Sequence, residues 1–316
     1  MKPIIAAALT LLMAAGCGAE KADGFRDGYP KSESVTMKLP GSSGELRGDR
    51  TRQELEGEKA MTYVLTRGVT YVVNGGAVAV LTLVRLIGEQ EPTKVTEDKA
   101  VWGPFTDSLS PNTYKFTVTK NKADDFSYAL EAKAKTEDDA KFRVILSGSH
   151  LVTGKDLGAG TFLLDWDKIA TLPEHDDNVG TAEYAYSHTA KDADVRIDAI
   201  FKQVLDRDAK KPIDVDYKYL ATPGKGGNFE FKMVKDLANG SALENSSVKS
   251  RWEETGAGRS DVKVNGGNLT AEANFSECWD SNFASRYFNA SFDAKAGWGS
   301  QGACAFKTAE FSLVAP

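Results

Sequence analysis

Three cysteines, Cys17, Cys278 and Cys304, and three histidines, His150, His175 and His188, are the side chains of this chain best suited to covalent, redox or metal chemistry. None of the histidines lies beside a cysteine, so no zinc-type Cys/His spacing is present. His150 ends the apolar stretch that starts at Phe142, and His188 follows Tyr184-Ala185-Tyr186-Ser187. His175 sits in Pro173-Glu174-His175-Asp176-Asp177-Asn178. If Glu174, His175 and Asp176 converged with Asp165 or Asp167 they would suit a divalent cation, but the run lacks EF-hand or other ligand spacing. A solvated acidic loop explains it equally well. There is no Walker loop, no His-Glu-x-x-His, no Gly-x-Ser-x-Gly and no Cys-x-x-Cys. Gly158-Ala159-Gly160 precedes a strand pattern and reads as a hairpin turn, not a dinucleotide loop. A Ser-His-Asp triad is recognised by geometry, and nothing in the sequence singles out one serine. No catalytic residue, cofactor or metal site is expected.

The thiol of Cys17 has a different context. Lys2 is followed by the apolar run Ile4–Met13 and then by small residues. The run is too short to cross a ~30 Å hydrocarbon core as a permanent helix. Ala14-Ala15-Gly16-Cys17 resembles a bacterial lipobox, with Ala in place of the commoner Leu three positions before the cysteine. The alternative is an ordinary secretory signal with a chance cysteine. The resemblance implies removal of residues 1–16 and lipidation of Cys17. Each buried CH₂ contributes about 0.8 kcal/mol, so two or three acyl chains hold a protein on a membrane stably. Gly18–Ser34 is polar and Gly-rich, so residues 17–34 read as a flexible tether. Gly18, where Asp would signal retention, implies delivery to the outer membrane, facing the periplasm. With Cys17 modified, Cys278 and Cys304 remain as an even pair in an oxidising compartment and are expected to form a disulfide.

These features need a body to carry them. A chain of 316 residues, 41% hydrophobic, can bury a full core, and its net charge of −6 argues against a nucleic-acid partner. Over about 50–89, Val69, Val72, Val73, Gly76, Val80, Leu83, Val84 and Ile87 recur at helical spacing, with Ala60, Met61, Val64 and Leu65 extending the apolar face. Asn74-Gly75-Gly76 is expected to kink or split this helix, and strand for Val69–Val73 is an alternative. From about 94 to 277 the period is two, as in Tyr114-Phe116-Val118, Phe126-Tyr128-Leu130-Ala132 and Leu269-Ala271-Ala273-Phe275. The expected fold is α+β, mostly β: a large curved antiparallel meander of about ten strands covered by the N-terminal helical segment. Residues 35–316 read as one domain. Its segment 278–316 is tied by the disulfide and carries a short helix capped at Asp280-Ser281.

Val72, Val80 and Val84 on the helix, with Trp166, Tyr184, Tyr186, Tyr217, Tyr219, Phe229 and Phe231 on inward sheet positions, are candidates to line an apolar pocket. A plain hydrophobic core is the competing reading. Trp102-Gly103-Pro104-Phe105-Thr106-Asp107, Ser250-Arg251-Trp252, Thr255-Gly256-Ala257-Gly258-Arg259, Glu277-Cys278-Trp279-Asp280 and Cys304-Ala305-Phe306 resemble recurring motifs of uncharacterised lipoproteins of the myxobacterial type. That resemblance implies export and a lipid anchor, and attaches no activity. The architecture is more distantly similar to lipoprotein carriers of the LolA/LolB kind, an analogy of fold alone. Three functions are therefore expected: a membrane-anchored lipoprotein binding a lipid or other hydrophobic small molecule, a structural or protein-interaction lipoprotein with a filled core, or an envelope hydrolase.

Overall fold

Phe126, Tyr128, Leu130 and Ala132 are buried while their sequence neighbours Ser127, Ala129 and Glu131 are only half-buried, and this one-sided alternation builds the protein. It recurs through a computed structural model that describes residues 19–41, 58–106, 108, 110–175, 177–206, 210–293 and 295–315. The strands are β1 Lys94–Val95, β2 Lys99–Phe105, β3 Asn112–Lys122, β4 Asp125–Ala134, β5 Arg143–Gly154, β6 Leu157–Asp165, β7 Thr181–His188 and β8 Val195–Asp206. They continue as β9 Lys211–Thr222, β10 Gly226–Lys235, β11 Glu244–Glu253, β12 Gly258–Gly266, β13 Ala273–Trp279, β14 Ser285–Ala290 and β15 Trp298–Gly299. All fifteen form one antiparallel sheet in sequence order, an uninterrupted meander.

Among the described residues three α-helices accompany it: α1 Ala19–Arg26, α2 Met61–Gly88 and the single turn α3 Trp166–Ile169. Helix α2 lies across the concave face. Its first residues bond Glu277 of β13, its middle receives the Tyr184 hydroxyl of β7 on Val73 O at 3.4 Å, and Gln90 O just beyond its end accepts Trp102 Nε1 of β2 at 2.9 Å. Eleven strand spacings separate β2 from β13, about 53 Å along the sheet. The 28 residues of α2 span only about 42 Å. The sheet must therefore curve, and α2 fills the resulting trough. Residues 29–41 run beside it in the opposite direction, fastened midway by Asn74, whose side chain accepts Met37 N at 2.9 Å and donates to Met37 O at 2.8 Å. Val35, Met37 and Leu39 from this segment complete the core.

The curved, mostly β meander under an N-terminal helix is the architecture that the alternation predicts, with more strands than expected. Several details differ. Helix α2 starts at Met61, and 50–57 of the expected block lie outside the described residues. It is one element through Asn74-Gly75-Gly76, including Val69–Val73. No helix follows Asp280: its carboxylate accepts Asn282 N at 2.8 Å and Ala284 N at 3.1 Å, closing the β13–β14 hairpin. Leu269 and Ala271 precede β13 in a turn. Most of the tether expected over 17–34 is folded, because Phe25 and Tyr29 pack against Phe126 and Phe116 on the concave face. Of that span, Cys17 and Gly18 lie outside the described residues.

Candidate functional site

The pocket candidates converge, and they converge as core. Phe162 and Tyr184 stack at 4.3 Å, and a chain of ring contacts continues Tyr184–Phe201 at 5.7 Å, Phe201–Tyr217 at 5.4 Å, Tyr217–Phe229 at 6.0 Å and Phe229–Phe231 at 5.1 Å. Trp166 is not on a strand as expected: β6 ends at Asp165, and Trp166 opens the turn α3, half-buried, touching the cluster through Phe201 at 6.1 Å. Val84 is fully buried on the sheet-facing side of α2, and Val80 packs on the same cluster. Burial raises the Tyr217 and Tyr219 hydroxyls to about 12 and pushes Tyr184 and Tyr186 higher still, so all four stay neutral. Tyr219 is spent on Lys38, donating to its carbonyl at 2.8 Å and accepting its N–H at 3.0 Å. Val72 is the exception: it is 71% exposed and lines nothing.

The N-terminal end of α2 meets a polar trough instead. Ala60, the residue before the helix, has no side chain with which to cap it, and Glu277 reaches in from β13. Its carboxylate accepts Met61 N at 3.2 Å and both Thr62 N and Thr62 Oγ1 at 2.8 Å, placing a negative charge where the helix dipole favours one. Thr66, one turn on, meets Ser250 at 2.6 Å, and Ser250 meets Ser260 at 2.6 Å. Ser250, Ser260 and Glu277 are in register across β11, β12 and β13. The hydroxyls and the carboxylate satisfy one another and the helix end, and no histidine belongs to the chain of contacts. Sequence alternation could not find β11 and β12, since their inward residues here include Ser246, Ser250 and Ser260.

On the convex face of the same strands lies an ion-pair row. Arg259 Nε and Ser276 Oγ donate to Asp261 Oδ1 at 2.7 and 2.6 Å, and Arg251 bridges Asp261 at 3.1 Å and Glu310 at 2.7 Å. Lys249 pairs with Glu230 at 3.2 Å and with Glu310. Burial works against the charged Lys249, and these partners outweigh it, raising its pKa. The last residues lie across this row: Glu310 N donates to Asp261 Oδ2 and Leu313 N to Glu230 Oε2, both at 2.9 Å. Cys278 and Cys304 are joined by a disulfide, as expected, and it pins the start of this C-terminal strap to β13. The motif residues Arg251, Arg259, Cys278, Cys304 and Phe306 thus meet as a clamp.

The remaining chemical candidates are scattered. His150 is buried with Nδ1 2.8 Å from the Tyr186 hydroxyl, beside a cavity of about 10 Å³ lined by Asp27, Lys31, Ser34 and Asp156. That is room for one water molecule. Burial, helped by Lys31, depresses His150 to about 4, so it is neutral at pH 7. His175 Nδ1 lies 2.7 Å from Leu172 O. Asp165 caps α3 by accepting Lys168 N at 3.0 Å, and Asp167 accepts Gly180 N at 2.7 Å. Asp176 lies outside the described residues, and among those described no group of His, Cys, Asp or Glu is arranged to hold a metal.

One surface stands out. At about 100° per residue, Met61, Val64, Gly68, Tyr71, Val72, Gly75 and Leu86 share one sector of α2, facing away from the sheet. Tyr71 is 73% exposed, Met61 51% and Leu86 49%. From Met61 to Val84 the helix has one charge, Arg67, and that side chain is buried. Sequence reasoning turned Val72 and Gly76 inward because α2 is apolar all round, which leaves periodicity no contrast to detect. Helix α2 is long and apolar enough to cross a membrane by composition. Its bonds to Glu277, Ser250 and Met37 hold it in the trough. No family model, no curated protein and no solved structure matches this chain.

Proposed function

We propose that the chain is an exported, lipid-anchored protein of the bacterial envelope that works through its surface, as a docking or structural component, with its sheet filled by its own helix. The anchor reading rests on Ala14-Ala15-Gly16-Cys17 behind a short apolar run. A disulfide between Cys278 and Cys304 fits a chain that leaves the reducing cytoplasm. One observation carries the choice of surface over cavity: the inward aromatic side chains pack on one another and on α2. A lipid carrier needs several hundred Å³ of apolar space, whereas the space at His150 is about 10 Å³ and the hollow of about 570 Å³ at Glu97, Asp98, Lys120 and Lys122 is open and lined by charges.

Titration with the apolar dye phenylnaphthylamine tests that choice. The filled trough predicts no saturable binding, and one dye bound per chain overturns it. Membrane fractionation tests the anchor. Wild type should sediment with membranes and incorporate radiolabelled palmitate, and Cys17→Ser should do neither. Unchanged sedimentation of the variant, or no palmitate in wild type, contradicts the anchor.

A further inference from the structure

We infer that the outer face of α2 is a membrane-seating surface, resting on the bilayer that holds the acyl chains of Cys17. The inference rests on the lipid-anchor reading above and names the surface it uses.

Two independent observations bring the face and the bilayer together. The first is the face itself. Met61, Val64, Tyr71, Val72 and Leu86 form a stripe about 38 Å long, open to solvent and uncharged between Met61 and Val84 apart from the buried Arg67. Added methyl groups at Gly68, Gly75 and Gly76 would meet nothing, so no other part of the described chain covers this side. Other exposed large apolar residues, such as Leu151, Ile200 and Phe292, are scattered over different elements. A two-layer fold normally turns a polar helix face outward, and a long uncharged one marks an interface.

The second observation is the length of the leash. Cys17 precedes Ala19, the first residue of α1, by only two positions. Two residue steps, about 7 Å at full stretch, and six helical ones set an upper limit of about 16 Å between Cys17 and the buried Phe25. Phe25 and Tyr29 dock on the concave side, where α2 also lies, and the Arg26 guanidinium donates to Gly88 O at the end of α2. Whatever course residues 17 and 18 take, a sulfur anchored in the bilayer holds Phe25, and the helical layer on which it docks, within that reach, too short to hold the layer clear of the headgroups. Interfacial helices bind by apolar burial, and the tethered acyl chains supply the stable hold.

The test uses the full lipidated chain in vesicles of phosphatidylethanolamine and phosphatidylglycerol. A nitrobenzoxadiazole label is placed at Val72→Cys, an exposed position, or at Asp198→Cys on the convex face as control. Flotation with the vesicles reads the anchor, and quenching by brominated acyl chains reads the seating. We expect both variants to float, with emission from position 72 blue-shifted and roughly halved by bromolipid and that from 198 unchanged. Floating protein whose label at 72 stays in water overturns the seating surface while sparing the anchor. A blue-shifted but unquenched label at 72 means that a second copy or another protein covers the stripe, and overturns it too. Protein that does not float overturns the anchor, and the seating surface with it.

Discussion

His150 and Glu277 are both buried, and folding asks opposite things of them. His150 must shed its proton. Its pKa falls from 6.5 to about 4 on folding, so the unfolded chain takes up a proton first as pH drops. Stability from this group is complete above pH ~6.5 and is lost progressively toward pH ~4, by about 3 kcal/mol in total. Urea unfolding of wild type and His150→Gln across this window should show that extra loss in wild type alone, and parallel pH profiles would contradict it. Glu277 instead holds the first N–H groups of α2. Glu277→Gln keeps the shape but cannot accept all three hydrogen bonds, and should cost about 1–3 kcal/mol in urea unfolding. An unchanged midpoint would show that the cap is not needed. Neither role was legible in the sequence: His150 read as the end of a strand, and Glu277 lies 216 positions from the Met61 amide that it holds.

At the scale of the element, α2 shows where periodicity ceases to inform. A helix is readable in Val69–Ile87, but its facing is not, because valine, glycine and tyrosine fall on both sides. What fixes the facing is the sheet below. Thr62 and Thr66 face Glu277 and Ser250 on the polar strands β11–β13, while Val73, Ala77, Leu81, Val84 and Ile87 face the apolar region. The facing makes a direct prediction. Leu81→Ala, at a site 1% exposed, should lower stability by about 2–5 kcal/mol. Val72→Ser, at a site 71% exposed, should change it by no more than about 0.5 kcal/mol in the same unfolding assay. Equal losses would mean that α2 is turned the other way. The strands divide by the same logic. Those with aromatic inward positions, β3, β4, β7 and β10, were legible from alternation, whereas β11 and β12 bury serine inside and Arg259 and Asp261 outside, and were not.

For the whole molecule, a meander of fifteen strands leaves most of its convex face in water and protects one end with the C-terminal strap. The disulfide holds that strap, and closing its loop contributes about 3 kcal/mol in the chain-entropy account. A Cys278→Ser, Cys304→Ser double variant should lose about that much in denaturant unfolding. Its Glu310 and Leu313 amides should also exchange faster with solvent, and unchanged protection would show that the ion pairs hold the strap alone. Cysteine arithmetic foresaw the pairing, since two thiols remained once Cys17 was set aside. It could not foresee the strap's course across β13 to β10, which depends on charges far apart in the sequence. The general architecture was likewise legible, whereas whether the trough was hollow depended on how rings from separate strands meet. Native mass spectrometry of the protein extracted from the cells that make it tests the filled trough most directly. The predicted species is the chain with its covalent modifications and no non-covalent ligand; a lipid released from the chain on gentle activation, across independent preparations, would contradict it.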